Sequence, residues 1–150
     1  MARSWWGALL AAMAAAALVA LIAMLALANG DEGTAAGPRL ALEDDSFDLG
    51  EVAVGETVQR SVEFVNEGDA PLEVTIVKVR PAPDATCGCG VEGFRVEPAS
   101  VPVGGSGRLL FDLNAPEGME RMTDKMLAEL ESNDPAKPDM TITLIFGMGP

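Results

Sequence analysis

Beyond residue 40 the chain alternates apolar and polar residues with a period of two, in short runs broken by Gly, Pro, Asn and Asp. Successive side chains on a strand point to opposite faces, so each run buries one face and wets the other. The first run, "SFDLGEV", ends at the turn Val54-Gly55-Glu56. "TVQRSVEFVN" then places Val58, Val62 and Phe64 on one face, with Arg60 out of character among them. The turn Glu67-Gly68-Asp69-Ala70-Pro71 leads into "LEVTIVKV", where Leu72, Val74 and Ile76 share a face before the pattern slips to Val77 and Val79. A slip of that kind predicts a bulge. "GFRVEP" follows, and then "GRLLFDL" with Leu109, Phe111 and Leu113 alternating. "KMLAELE" sets Met126, Ala128 and Leu130 against Lys125, Glu129 and Glu131, and "MTITLIF" alternates Met140, Ile142, Leu144 and Phe146 with Thr141 and Thr143. Seven such runs in roughly 100 residues predict an all-β fold, an antiparallel two-sheet sandwich of about seven strands.

One segment admits a second reading. Glu117 to Ser132 spaces Met119, Met122, Met126 and Leu130 at intervals of three and four, which also fits one face of a helix. A loop followed by a strand is expected here, because the flanking runs all need sheet partners.

The N-terminal residues are of a different kind. The uncharged, proline-free run from Gly7 to Ala28 would be about 33 Å long as a helix, enough to cross a bilayer core of about 30 Å. Arg3 precedes it, and Asp31 and Glu32 follow it. The positive-inside bias then keeps the N-terminus cytoplasmic and exports the rest, with Trp5 and Trp6 at the interface. Ala26-Leu27-Ala28 would also suit a signal peptidase cutting before Asn29, which would release the domain as a secreted or periplasmic protein. The run is longer than the usual apolar core of a signal peptide, which favours an uncleaved anchor and a single-pass protein of the cell membrane. The expected organisation is an N-terminal transmembrane anchor or signal peptide over residues 1–28, a flexible linker over 29–39, and one domain over 40–150.

Charge narrows the partners. With Lys+Arg 10 and Asp+Glu 23, the net charge is −13, and Arg3 is the only charged residue before Asp31. So acidic an exported domain repels phosphate backbones, so no nucleic-acid partner is expected. There is no histidine, which removes Ser-His and Cys-His nucleophiles, and nothing resembles a phosphate loop. Asp44, Asp45 and Asp48 cluster without calcium-loop spacing and read as a solvated acidic turn. No catalytic residue, cofactor or metal is expected.

The remaining chemistry lies in Thr86-Cys87-Gly88-Cys89-Gly90, which holds both cysteines of the chain. The Cα atoms of a Cys-x-Cys pair are about 5.5–7 Å apart in extended or turn conformations, overlapping the disulfide range. Gly88 allows the backbone angles a small ring needs, and export permits the bond to persist. Such a ring encloses little chain and stabilises the fold only weakly. Two alternatives stay open: a thiol-redox site, and a Cu(I) site joined by methionines among Met119, Met122, Met126, Met140 and Met148. A thiol–disulfide enzyme normally shows Cys-x-x-Cys opening a helix, which is not the pattern here.

The exported residues resemble the bacterial family called domain of unknown function fifteen-seventy-three. That family is grouped with immunoglobulin-like domains of the abnormal-spindle and hydin type. The matching residues are Phe47-Asp48-Leu49-Gly50-Glu51-Val52, Val54-Gly55-Glu56, and Phe64, Asn66, Gly68, Pro71 and Leu72. Cys87-Gly88-Cys89 and Phe111 complete them, over roughly residues 45–146. Where the family usually has Ser before and Thr after the cysteine pair, this chain has Thr86 and Gly90. The resemblance implies an immunoglobulin-like sandwich and no defined activity. The expectation is therefore a membrane-tethered, extracytoplasmic, non-catalytic binding or structural module with a protein partner in the cell envelope. The alternative is an exported thiol or copper-handling protein using Cys87 and Cys89.

The anchor reading has a direct check. Intact-mass measurement of the protein from membranes is expected to find a chain beginning at Met1 or Ala2. A mass beginning at Asn29 would establish cleavage.

Overall fold

A computed structural model of the protein describes residues 36–149. The anchor expected over residues 1–28 and the first part of the expected linker lie outside the described residues. Among the described residues there is no helix, and nine strands form two sheets. In chain order the strands are β1 (Leu40–Ala41), β2 (Ser46–Ala53), β3 (Thr57–Asn66), β4 (Leu72–Pro81), β5 (Val91–Glu97), β6 (Ser100–Val101), β7 (Ser106–Asn114), β8 (Met122–Ser132) and β9 (Asp139–Gly149). One sheet has the order β1-β3-β7-β5 and the other β2-β9-β8-β4-β6. The seven longer strands coincide with the seven alternating runs. The two-residue strands β1 and β6 are too short to show a period.

The inward faces are those that the alternation marks. Val62, Phe64, Leu109, Phe111 and Leu113 from one sheet are buried together with Leu72, Val74, Ile76, Met126, Ala128, Leu130, Ile142, Leu144 and Phe146 from the other. Each large side chain so buried is worth roughly 1.5–3 kcal/mol, and the sandwich stands on their sum. The slip in β4 is a bulge: its register against β8 shifts between Ile76 and Lys78, and Val77 turns outward to 50% exposure. The segment from Met122 to Ser132 is a strand, pairing antiparallel with β9. Arg60 stays in phase with the core, but its guanidinium reaches across the sandwich. Its Nε donates to Leu49 O at 2.8 Å and an NH2 group to Glu51 O at 3.3 Å, both on β2 of the facing sheet.

The expectation of a wholly antiparallel sandwich needs correction, because β2 runs parallel to β9, from Ser46 beside Thr143 to Ala53 beside Gly149. The turn after β2 carries the chain into the other sheet, where β3 pairs with β7. Gly55, at φ +79°, donates its N–H to Ala115 O at 2.7 Å, and Glu56 N–H bonds Ala53 O at 3.0 Å. The direction of β2 is thus set by a crossing between layers and not by a hairpin. A period of two carries no information about direction. Asp48, from the acidic cluster, accepts the Gly50 N–H at 2.8 Å where the β2 register shifts, and Asp44 accepts the Asp45 N–H at 2.7 Å.

Asn66 closes one end of the sandwich. It is fully buried, and its Nδ2 donates to Ala70 O (2.8 Å) and Val101 O (3.1 Å) while its Oδ1 accepts from Gly68 N (3.0 Å) and Arg39 N (3.3 Å). Gly68 has no room for a side chain, since a Cβ there would lie 2.2 Å from Gly37 O. Glu67 N–H bonds Arg39 O, and Asp69 N–H bonds Gly37 O, each at 3.0 Å. Residues 36–39, which composition marks as the end of a linker, are in this way built into the domain. Nearby, buried Asp134 accepts Leu40 N–H at 2.8 Å and Ala136 N–H at 2.8 Å.

Replacing Asn66 by Ala strands two carbonyls and two amides at this end. The loss is expected to be about 3 kcal/mol in a denaturant titration, with Asn66→Asp, which turns an acceptor oxygen toward the Ala70 and Val101 carbonyls, costing at least as much. A cost under about 1 kcal/mol would show that water replaces the side chain.

Candidate functional site

The opposite end of the sandwich carries the cysteine loop, which joins β4 to β5. The loop leaves β4 beside β8: Ala82 N–H bonds Lys125 O at 3.0 Å, and Ala85 N–H turns back to Ala82 O at 3.0 Å. Thr86 Oγ1 donates to Thr123 O at 2.9 Å. Lys125 also pairs with Asp84, holding that exposed carboxyl below its ordinary value chiefly through their hydrogen bond. The sign is that of a lowered acid: the pair contributes above the unfolded carboxylate pKa and is lost as pH falls through the folded one. At this exposure the effect is small.

Cys87 and Cys89 are joined in a disulfide, with Cα atoms 5.3 Å apart. Cys87 is exposed, whereas Cys89 is half-buried and packs against the core. What holds the loop is a residue outside it. Asp124, on β8, is fully buried, and its carboxylate accepts four consecutive backbone amides. Oδ1 takes Thr86 N–H at 2.7 Å and Cys87 N–H at 3.3 Å, and Oδ2 takes Gly88 N–H at 2.9 Å and Cys89 N–H at 3.2 Å. Charge-assisted bonds of this kind are roughly twice as strong as neutral ones, and successive amides curled around an anion form a nest. Asp124 Oδ2 also lies 3.2 Å from Cys87 Sγ.

The glycines have separate reasons. Gly88 (φ +66°) sits where a Cβ would lie 2.6 Å from Pro81 Cγ. Gly90 (φ +95°) sits where a Cβ would lie 2.8 Å from Phe146 Cε2 and 3.2 Å from Asn114 O. Its carbonyl accepts Asn114 N–H at 2.8 Å and ties the loop to β7. The loop is pressed onto the end of the core at Gly90 and against Pro81, the last residue of β4, at Gly88.

Cys87, Cys89 and Asp124 bring two sulfurs and a carboxylate oxygen within 4.8 Å of one another. As a metal site the arrangement fits poorly. The sulfurs are bonded to each other, and both carboxylate oxygens are occupied by amides. The methionines that could complete a Cu(I) shell serve packing instead: Met126 and Met148 are buried in the core, while Met119, Met122 and Met140 pack against it. Sequence reasoning missed Asp124, yet the signal was present. Asp124 lies in phase with Met126, Ala128 and Leu130, an acid on the buried face of an amphipathic strand.

A family model described as HYDIN/CFA65/VesB-like, Ig-like domain matches residues 38–145. No curated protein matches the chain. Among solved structures, a protein of unknown function from Porphyromonas gingivalis W83 is similar at 20% identity and a TM-score of 0.51, covering 77% of this chain and 49% of that one. This chain thus spans about half the length of that protein, and the likeness is one of fold. PapD-like domain 7 of human CEP192 is similar at 14% identity and a TM-score of 0.45, over 73% of this chain and 83% of that one. The E. coli chaperone DraB is similar at 14% identity and a TM-score of 0.46, over 75% and 55% of the two chains.

Gly90 and Gly104 separate backbone strain from crowding, because Gly104 (φ +69°) faces open space. Gly104→Ala is expected to cost about 1 kcal/mol and Gly90→Ala about 3 kcal/mol in denaturant unfolding. Equal costs would mean that the loop is not seated against Phe146.

Proposed function

Because the chain belongs to the HYDIN/CFA65/VesB-like Ig-like domain family, we propose that it is a non-catalytic binding or structural module, tethered to the membrane and displayed on its outer side. The immunoglobulin-like sandwich suits that role, since such domains bind through edge strands and end loops. In this reading the domain is of the fifteen-seventy-three type, and its partner is a protein of the cell envelope. The observation that carries the tether is in the sequence: an uncharged run from Gly7 to Ala28, with Arg3 before it and Asp31 and Glu32 after it. Edge strand β5 offers a surface for a partner, with Phe94 at 40% exposure.

A fusion of alkaline phosphatase to the C-terminus tests the topology, since that enzyme folds to activity only outside the cytoplasm. High phosphatase activity is expected, with the chain retained in carbonate-washed membranes. An inactive fusion, or a chain washed free by carbonate, would overturn the tethered, exported reading.

A further inference from the structure

We propose that Cys87 and Cys89 are a reversible dithiol–disulfide exchange site, held in register by Asp124 in both redox states, that acts on a cysteine pair in another polypeptide. The function goes beyond a binding role and does not depend on it. A disulfide enclosing a single residue removes little unfolded-state entropy, so stability is a weak account of the bond. The loop also has other ties that set its shape. The four amides on Asp124, the Gly90–Asn114 bond and the Thr86–Thr123 bond hold it independently of the disulfide's own atoms. A bond that adds little to stability and is open on one sulfur is placed for chemistry.

The two sulfurs differ in the way exchange requires. Cys87 is exposed and can be approached by a thiolate, whereas Cys89 is shielded against the core. An incoming thiolate of the partner attacks Cys87 Sγ and forms a new S–S bond. The Cys87–Cys89 bond breaks, and its electron pair leaves on Cys89, which takes a proton from solvent. The partner's second thiolate then attacks its own sulfur in the mixed disulfide, closing the partner's disulfide and releasing Cys87 as a thiolate that is protonated in turn. The pair gains two electrons and two protons, and the partner dithiol loses them. The reverse sequence oxidises the pair at the expense of a partner disulfide.

Asp124 is a positioning residue in this scheme. A disulfide sulfur has no hydrogen, but a Cys87 thiol has one to donate to Oδ2, 3.2 Å away. On reduction the Cys87 thiol can share Oδ2 with the Gly88 and Cys89 amides, so the carboxylate that holds the loop also faces the thiol. The two thiols stay side by side, ready to close again.

The purified full chain, equilibrated in dithiothreitol redox buffers and quenched by alkylation, is expected to pass cooperatively between zero and two free thiols while folded. The amides of residues 86–89 are expected to keep their hydrogen-exchange protection within about tenfold in the reduced form. A pair that is reduced only on unfolding, or a loss of that protection on reduction, would overturn the proposal. With oxidised glutathione as probe, Cys89→Ser is expected to trap a mixed disulfide at Cys87, and Cys87→Ser to react at least about tenfold more slowly at Cys89. Equal or reversed rates would overturn the assignment of the attacked sulfur. Asp124→Asn is expected to slow closure of the reduced pair by about tenfold, and closure at the parental rate would remove Asp124 from the site. If that variant does not fold, hydrogen exchange of the reduced parental chain decides the role of Asp124.

Discussion

A two-layer sandwich has apolar sides that seal themselves and ends that do not. Where strands stop, their backbone groups enter turns with one side against the core, and each must find a partner or the end unravels. This domain meets the constraint with buried polar side chains aimed at backbone: Asn66 and Asp134 at one end, Asp124 at the other. Among the described residues, no buried side-chain nitrogen or oxygen is left without a partner. The positions of the turns follow from these three residues as much as from the hydrophobic faces. Asn66 draws residues 36–39, the turn after β3, and Val101 to one point, and Asp124 gathers the loop that carries both cysteines.

Much of this was legible along the chain. The seven long strands, the bulge at Val77 and the two apolar faces can all be read from alternation, because burial on one face of a pleat is a local pattern. What stayed hidden is non-local. The direction of β2 depends on a crossing between sheets, and the two-residue strands β1 and β6 exist only because β3 and β4 lie beside them. The cysteine pair stood out by composition, but its keeper did not. The run "KMLAELE" begins one residue after Asp124, so the acid fell outside the strand that would have placed it inward. Methionines at helical spacing suggested a second structure and a metal shell, and the core uses them as flexible filler.

The ends also divide the molecule's roles. The Asn66 end is closed by a side chain whose four bonds all go to backbone, in the turn after β3, on β6 and at Arg39. At the Asp124 end the same device holds a loop with one sulfur turned outward. A fold by itself says little about task, and this tip is where the chain places both of its cysteines.

The parallel pairing of β2 with β9 has a consequence for how the domain is made. Ser46 finds its partner only when Thr143 is present, so these contacts join residues nearly the whole domain apart in sequence. Contacts of such separation carry the largest loop-closure cost and slow folding. On a chain delivered from its N-terminus, β2 emerges early and has no strand partner on either side until the last strand arrives. Completion of this sheet is therefore a late, all-or-none event, and the interval before it is when the domain is most open to aggregation or to a chaperone.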